Sequence, residues 1–366
     1  MFNLNFTNNY DVIHINNELG NKVIGGAGTY MNEMYTNRDK RTGFIYINLD
    51  DGDNDVYASD FLEQKDILIL NKNEIFKLSE IKCKILVVHF YEFATLLTKQ
   101  IVGDKKIVYV IHSVPLPEPP IKNDPFGGNY EIRDKFLKLC DISERLICVS
   151  YAEKQRMDTF FPEYRKKVRV IYNGINVNMI SNINNNYLNS RKIIGYIGRT
   201  DYRKGIIEFL KEVKDIDVDI MLACPKNDSI YVERILEYID ASGMKDRVRF
   251  CGWCLGERKD SFFRNIDALI IPSLYEPFGY VALEAMKNGI IVLSSSNGGL
   301  GEILKGYRYL FNPYIKGEIK QTVIKYIEDD LDIIKAQQNF LIENVKLYSS
   351  EHMVDEYNRC FKEMWE

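Results

Sequence analysis

No stretch of this sequence approaches the eighteen or so consecutive apolar residues that a membrane-spanning helix needs, so no bilayer anchor is expected. The opening residues, MFNLNFTNNYDV, lack the basic start and apolar core of a secretory leader. Basic surplus is missing as well. The 48 Lys and Arg fall short of the 52 Asp and Glu, for a net charge of -4, which argues against nucleic acid as a partner. Seven cysteines are scattered without a paired framework. Cys251 and Cys254 have redox or metal spacing, but a zinc site wants a second such pair, and the thiols read as reduced and structural. These features lead us to expect a cytoplasmic protein. Two local basic groups, Arg38, Lys40 and Arg41, and Arg165, Lys166, Lys167 and Arg169, read as solvated surface. The sharper alternative is peripheral docking on the anionic inner face of a membrane. Histidine is scarce, with four in the chain.

What the chain does contain is an ordinary globular composition, 46% apolar and 27% charged, in 366 residues. That length suggests two domains. Apolar runs at Val12–Ile15, Phe44–Ile47, Ile67–Leu70, Ile85–His89, Ile107–Ile111, Leu146–Val149 and Val168–Ile171 read as buried strands. Helical patterns such as Thr29–Tyr35 and Glu131–Leu139 lie between them. Alternation of this kind means βαβ units and a parallel sheet covered on both faces. The polar segment GINVNMISNINNNYLNS, residues 174–190, reads as a linker. A second set of strands follows at Ile193–Ile197, Val218–Leu222, Val248–Phe250, Ala268–Ile271 and Ile290–Leu293. The expectation is two doubly wound, Rossmann-like domains facing across a cleft: residues 1–175 and 190–348. A final helix, Ser349–Trp365, carries an apolar stripe at Met353, Tyr357, Phe361 and Met364.

Three stretches carry chemistry. In SLYEPFGYVALEAM, Ser273–Met286, Glu276 and Glu284 straddle a strand-to-helix junction, where open parallel sheets bind ligands. Pro277 suits a helix start, and Gly279 lets a ligand approach the backbone. The N–H groups around Phe278, Gly279, Tyr280 and Val281 then offer an anion site backed by the helix dipole. Each glutamate could accept paired hydroxyls at one end of a diphosphate, which is the layout of a nucleotide sugar. Either glutamate alone reads as well as an ordinary helix-start or solvated carboxylate. In GYIGRTDYRKG, Gly195–Gly205, Arg199 and Lys204 supply a bidentate fork and a point charge for a diphosphate; taken alone, the stretch is a charged surface loop. In VIGGAGTY, Val23–Tyr30, Gly25, Gly26 and Gly28 leave amides open at a helix start. A dinucleotide fingerprint fits less well, because Met31 stands where the third glycine belongs and about eight residues separate Ile15 from Val23. His112 ends a strand ahead of Ser113 and Pro115 and should project into the cleft, whereas His14 and His89 read as core or edge residues. Asp51-Gly52-Asp53 mimics a metal motif but reads as a solvated acidic loop.

Together, SLYEPFGYVALEAM, IGRTDYRKG, IGGAG, IHSVP and VIYNGIN resemble family 4 glycosyltransferases of the GT-B fold, over most of the chain from about residue 11. The resemblance implies transfer with retention of anomeric configuration and no metal or other cofactor. It implies that Glu276 contacts donor-sugar hydroxyls, that Glu284 binds the ribose and that Arg199 and Lys204 bind the diphosphate. Gly25 and Gly26 would lie against the diphosphate and acceptor, His112 near the donor sugar, and the final helix would pack back on the N-terminal domain. Departures are the ten-residue lead before the first strand and Ser113, where many relatives have an acidic residue or glycine. A UDP-sugar is the expected donor, GDP-mannose the alternative, and the acceptor a glycan, lipid-linked glycan or protein hydroxyl. A monomer or homodimer is expected. The rival readings are a sugar-phosphate synthase, a catalytically silent binding or scaffold module of the same fold and, more distantly, a dehydrogenase.

Overall fold

The computed structural model describes residues 10–19, 25–49, 67–115, 130–177, 191–225 and 230–365. The chain divides into two compact units, residues 1–174 with 350–366, and residues 175–349. The first unit holds β1 (Val12–Asn16), β2 (Thr42–Asn48), β3 (Ile67–Asn71), β4 (Ile85–Val88), β5 (Lys106–Ile111), β6 (Arg145–Cys148) and β7 (Val168–Val170). Their order in the sheet is β3-β2-β1-β4-β5-β6-β7. The second unit holds β8 (Lys192–Ile197), β9 (Val218–Ala223), β10 (Val248–Phe250), β11 (Ala268–Ile271), β12 (Ile291–Ser295) and β13 (Leu310–Phe311), in the order β10-β9-β8-β11-β12-β13. All pairings between these strands are parallel. In each sheet the winding reverses beside the unit's first strand, between β1 and β4 and between β8 and β11. Those are the topological switch points, where open α/β sheets bind ligands at the carboxyl ends of strands.

The expected strands match the observed ones to within a residue or two. VIHIN, ILVV, ALII and IVLSS are buried along their whole length, the pattern of strands covered on both faces. β13 was not expected, because two residues carry no periodicity. Gly195 on β8 has a packing reason: a Cβ there would stand 2.6 Å from Ile266 and 2.7 Å from Phe262. Only a bare backbone lets the neighbouring helix settle on the strand.

Five helices bear on the sites: α1 (Gly26–Asn37), α2 (Tyr151–Phe160), α3 (Glu257–Arg264), α4 (Tyr280–Lys287) and α5 (Ser350–Trp365). No helix among the described residues is long and apolar enough to cross a membrane. The expected stripe of α5, Met353, Tyr357, Phe361 and Met364, is buried, and the helix is part of the first unit. Ser350 Oγ donates to Glu33 on α1 at 2.5 Å, the Gly174 amide donates to the Met353 sulfur at 3.1 Å, and Lys106 donates to the Met364 carbonyl. Phe361 turns its edge to His14, with ring centroids 6.3 Å apart.

Emptying the Phe361 site should therefore cost about 3–5 kcal/mol, the range for aromatic-to-alanine changes in cores. Trp253 and Trp365 fall one in each unit, so a Trp253→Phe background leaves Trp365 fluorescence to report on the first unit alone. Phe361→Ala in that background should move the denaturation midpoint down accordingly. An unchanged midpoint means that α5 is not part of that unit's cooperative core.

Candidate active site

At the carboxyl end of β8, Tyr196 braces the loop that follows by donating its hydroxyl proton to the Arg199 carbonyl at 2.5 Å. Asp201 caps the short turn Tyr202–Lys204, accepting from the Arg203 amide at 3.1 Å. The chain then reverses at Gly205, φ +66°, where a Cβ would lie 2.1 Å from the Pro272 carbonyl oxygen. Glycine is thus required twice over, for the left-handed backbone and for the close approach to the end of β11. The Leu274 amide donates to the Arg203 carbonyl at 2.7 Å and fastens the two loops together. The outcome is an ion pair: Lys204 Nζ donates to Glu276 Oε2 at 2.6 Å, with the two side chains 20% and 19% exposed. Arg199 stays 40% exposed, its guanidinium 3.9 Å from Asp201.

Glu276 is held by its backbone as well. Its carbonyl accepts from the Gly299 amide at 2.9 Å, and it pairs with Gly298 in an isolated parallel bridge. Gly298, φ +71°, has room for no side chain, since a Cβ would stand 2.2 Å from the Glu276 carbonyl oxygen. Asn297 donates to the Leu274 carbonyl at 3.0 Å. This Asn297–Gly301 turn after β12 was not picked out from the sequence. Its signal was available in NGGLG, three glycines in four residues directly after a buried strand.

Past the turn, Gly279 (φ 114°) is the N-cap of α4 and no side chain caps it. Phe278 and Tyr280 are buried against each other, ring centroids 5.4 Å apart, with Phe278 also against Tyr348 at 6.3 Å. Phe278 therefore has a packing role for its ring. Val281 is half-buried in the first turn. Glu284, one further turn along, accepts from Lys259 of α3 at 2.7 Å and is 13% exposed. Lys259 carries no motif, and only the tertiary fold brings its side chain from α3 to Glu284 on α4. The second unit thus presents two lysine–glutamate pairs, Lys204–Glu276 and Lys259–Glu284, at the switch-point end of its sheet.

In the first unit the glycine stretch departs from expectation. The amides of Gly25 and Gly28 are not open: both donate to Glu18 Oε2 at 3.1 Å. A carboxylate is a favourable partner for a helix start, so Glu18 already fills the anion position there. Gly26 begins α1 and is exposed. Val23, Ile24, Asp51, Asp53 and most of the linker lie outside the described residues. Among the described residues, no group of three His, Cys, Asp or Glu is placed to hold a metal ion.

His112 follows β5 and is half-buried. The loop that carries it is pinned by buried Glu153 of α2, which accepts from the Val114 amide at 2.5 Å. His14 and His89 are core residues, as expected, but they are also polar partners of His112. His89 Nδ1 lies 3.1 Å from His112 Nε2, and His89 Nε2 lies 2.9 Å from His14 Nδ1. Burial pushes the His14 imidazole down from 6.5 to about 3 and that of His112 to about 4. His89 falls well below 6.5, first through burial and then through its two histidine neighbours. All three rings are neutral near neutral pH.

Comparison with known proteins places these features in a class. Residues 69–179 match the model of Glycosyltransferase Family 4, and residues 181–347 match that of Glycosyl transferases group 1. An uncharacterized glycosyltransferase of Methanocaldococcus jannaschii is 34% identical over 176 residues, 44% of each chain. An uncharacterized protein of the Klebsiella pneumoniae cps region is 22% identical over 72% of this chain and 65% of its own. The first of these alignments spans less than half the length of the relative it matches. Among solved structures, Anabaena HepE in complex with UDP and glucose superimposes with a TM-score of 0.78 at 16% identity, covering 96% of this chain and 99% of that one. Sucrose-phosphate synthase from Thermosynechococcus elongatus gives 0.76 at 17%, covering 97% and 99%. The fold is that of the GT-B glycosyltransferases. More particularly, the chain is a glycosyltransferase whose first unit is similar to the family 4 model and whose second unit is similar to the group 1 model.

Neutral buried histidines make stability depend on pH in a defined direction. Unfolding frees each ring to titrate near 6.5, so below that pH the unfolded chain binds protons the fold excludes. Each ring then withdraws about 1.4 kcal/mol of stability per pH unit, until it protonates in the folded state near 4 for His112 and near 3 for His14. Denaturation at pH 6, 5.5 and 5 should show stability falling with acid. His14→Phe should flatten that slope by about 1.4 kcal/mol per unit. An equal slope in the variant would mean that His14 titrates normally in the fold.

Proposed function

We propose that this protein is a retaining, metal-independent hexosyltransferase that takes its sugar from a nucleoside-diphosphate donor, with a UDP-sugar preferred and GDP-mannose the alternative. The observation that carries the reading is the joining of Lys204 to Glu276 across the β8 and β11 loops, with Arg199 in the same loop as Lys204. As the bond from the anomeric carbon to the diphosphate oxygen breaks, negative charge builds on the leaving diphosphate and positive charge on the sugar. Arg199 and Lys204 meet the first, and the Glu276 carboxylate orients hydroxyls beside the second. The acceptor hydroxyl bonds to the anomeric carbon and passes its proton to the departing diphosphate, whose oxygen takes the electron pair of the broken bond. Glu284 serves the ribose, which is unchanged by the reaction. UDP in the HepE complexes and UDP-2-fluoro glucose in a structure from E. coli support a uridine donor. Retention rests on the resemblance to family 4, and the acceptor is a glycan, a lipid-linked glycan or a protein hydroxyl in cell-envelope or polysaccharide synthesis. The two protein cations supply the charge that a metal supplies elsewhere. For the glycine stretch to take phosphate, Glu18 must give up the Gly25 and Gly28 amides.

The first test is a screen of nucleotide sugars for slow donor hydrolysis without acceptor, and a chain that turns over none of them is not this enzyme. With the donor in hand, Arg199→Ala or Lys204→Ala should each lower kcat/KM by roughly a hundredfold, the scale for losing one preorganised charge-stabilising group. Excess EDTA should leave the rate intact. Metal-restored activity after chelation would bring Asp51 and Asp53 back as ligands.

The two glutamates should separate by kinetics. Glu276→Gln should chiefly lower kcat, whereas Glu284→Gln should raise KM and weaken free nucleoside diphosphate in calorimetry. Weakened nucleotide binding in the first variant alone would reverse the two roles.

A further inference from the structure

His14, His89 and His112 stand on three adjacent strands of the first unit. β1 pairs β4 with His14 opposite Val87, so His89 is two positions further along. β4 pairs β5 with Val88 opposite Tyr109; continued one residue, that register sets His112 two positions beyond His89. Even offsets keep all three rings on one face of the sheet, stepping diagonally toward the carboxyl ends of the strands at the switch point. The rings are enclosed by aromatic groups. Phe44 stacks on His14 at 5.2 Å, and Tyr30 lies 4.8 Å from His89 and 5.4 Å from His112.

Each contact in this chain uses one proton, and each neutral ring carries one. Three neutral rings in two contacts therefore thread head to tail, in one of two directions. In the first, His112 Nε2–H donates to His89, His89 Nε2–H donates to His14, and the His14 proton is left on Nε2. In the second, His14 Nδ1–H donates to His89, His89 Nδ1–H donates to His112, and His14 Nε2 keeps a bare lone pair. The structure distinguishes them at the far end. His14 Nε2 is buried with no hydrogen-bond partner among the described residues. The first direction strands a buried N–H there, and the second strands only an acceptor. Orphaned buried N–H groups are the rarer and costlier of the two.

We propose that His14 and His89 are positioning residues that hold His112 in its Nδ1–H tautomer, so that the polar atom His112 has left over is a hydrogen-bond donor and not a base. This rests on the reading that His112 meets the donor sugar. A neutral donor there can bind a hydroxyl or phosphate oxygen of the substrate but cannot accept the acceptor's proton. The strongly lowered His14 and His112 values fit rings kept neutral as donor relays. Sequence alone gave no sign of this, because the spacings of 75 and 23 residues become contacts only through strand order.

The decisive measurement is the long-range proton–nitrogen spectrum of the full chain labelled at histidine, recorded near pH 7 with no nucleotide sugar present. Four histidines give four patterns. His112, His89 and His14 should all show a protonated Nδ1 and a bare Nε2, the reverse of what free histidine favours. A protonated Nε2 on His112 overturns the proposal, whatever the turnover. His89→Phe should release His112 into a mixture of tautomers, whereas His89→Asn, which keeps an N–H donor at the same place, should preserve the Nδ1–H form. With the donor found by the screen, His89→Phe should lower kcat by roughly tenfold or more, the scale for outer partners that orient a working histidine, with KM changing less. His89→Asn should recover most of that loss. An unchanged His112 tautomer in a folded His89→Phe protein would sink the relay. Correct tautomers in a protein that turns over no nucleotide sugar would leave the relay standing and remove the proposed reaction.

Discussion

The contact between Lys204 and Glu276 depends on two strands ending side by side. β8 and β11 are neighbours in the sheet although more than seventy residues separate their partners in the chain, and both loops leave from the same edge because the strands are parallel. A parallel sheet gathers every strand's carboxyl end on one side, so charged side chains placed just after strands are brought together whatever their distance in sequence. The close approach of these loops then needs Gly205 against Pro272 and Gly298 against Glu276, where a single Cβ would force them apart. Charge pairing and glycine placement are two sides of one constraint.

The same principle acts in the first unit with opposite chemistry. Around its switch point the first unit brings together three imidazoles, one within β1 and two just past β4 and β5, and a carboxylate-bound helix start rather than two ion pairs. Burial keeps those rings neutral, while the second unit keeps its lysines and glutamates partly exposed and charged. One sheet edge offers neutral hydrogen-bond groups, and the other offers fixed charges. Glu18 adds a feature that the glycine pattern concealed, since a helix start rich in open amides attracts the nearest carboxylate of its own chain as readily as a phosphate.

Much of this was legible from the residues alone. Short, mostly apolar runs bounded by turn signals read as buried strands, and their alternation with helical patterns pointed to parallel sheets and to where most strands end. Glu276, Glu284, Arg199, Lys204 and His112 could be singled out because each follows or flanks such a run, where the backbone must turn and side chains reach a ligand. The apolar stripe of α5 was equally plain, because a period of 3.6 leaves one face to bury. What stayed hidden was everything set by strand order and helix packing. Lys259 on α3 reaches Glu284 on α4 only through the tertiary fold; His14 and His89 reach His112 only because β1, β4 and β5 are adjacent; Glu18 reaches the glycine amides only once α1 is in place. Local pattern determines which element a residue occupies and which way it faces. The identity of its partner depends on which elements become neighbours, and that is decided by the burial of whole faces, a property no single stretch of sequence contains.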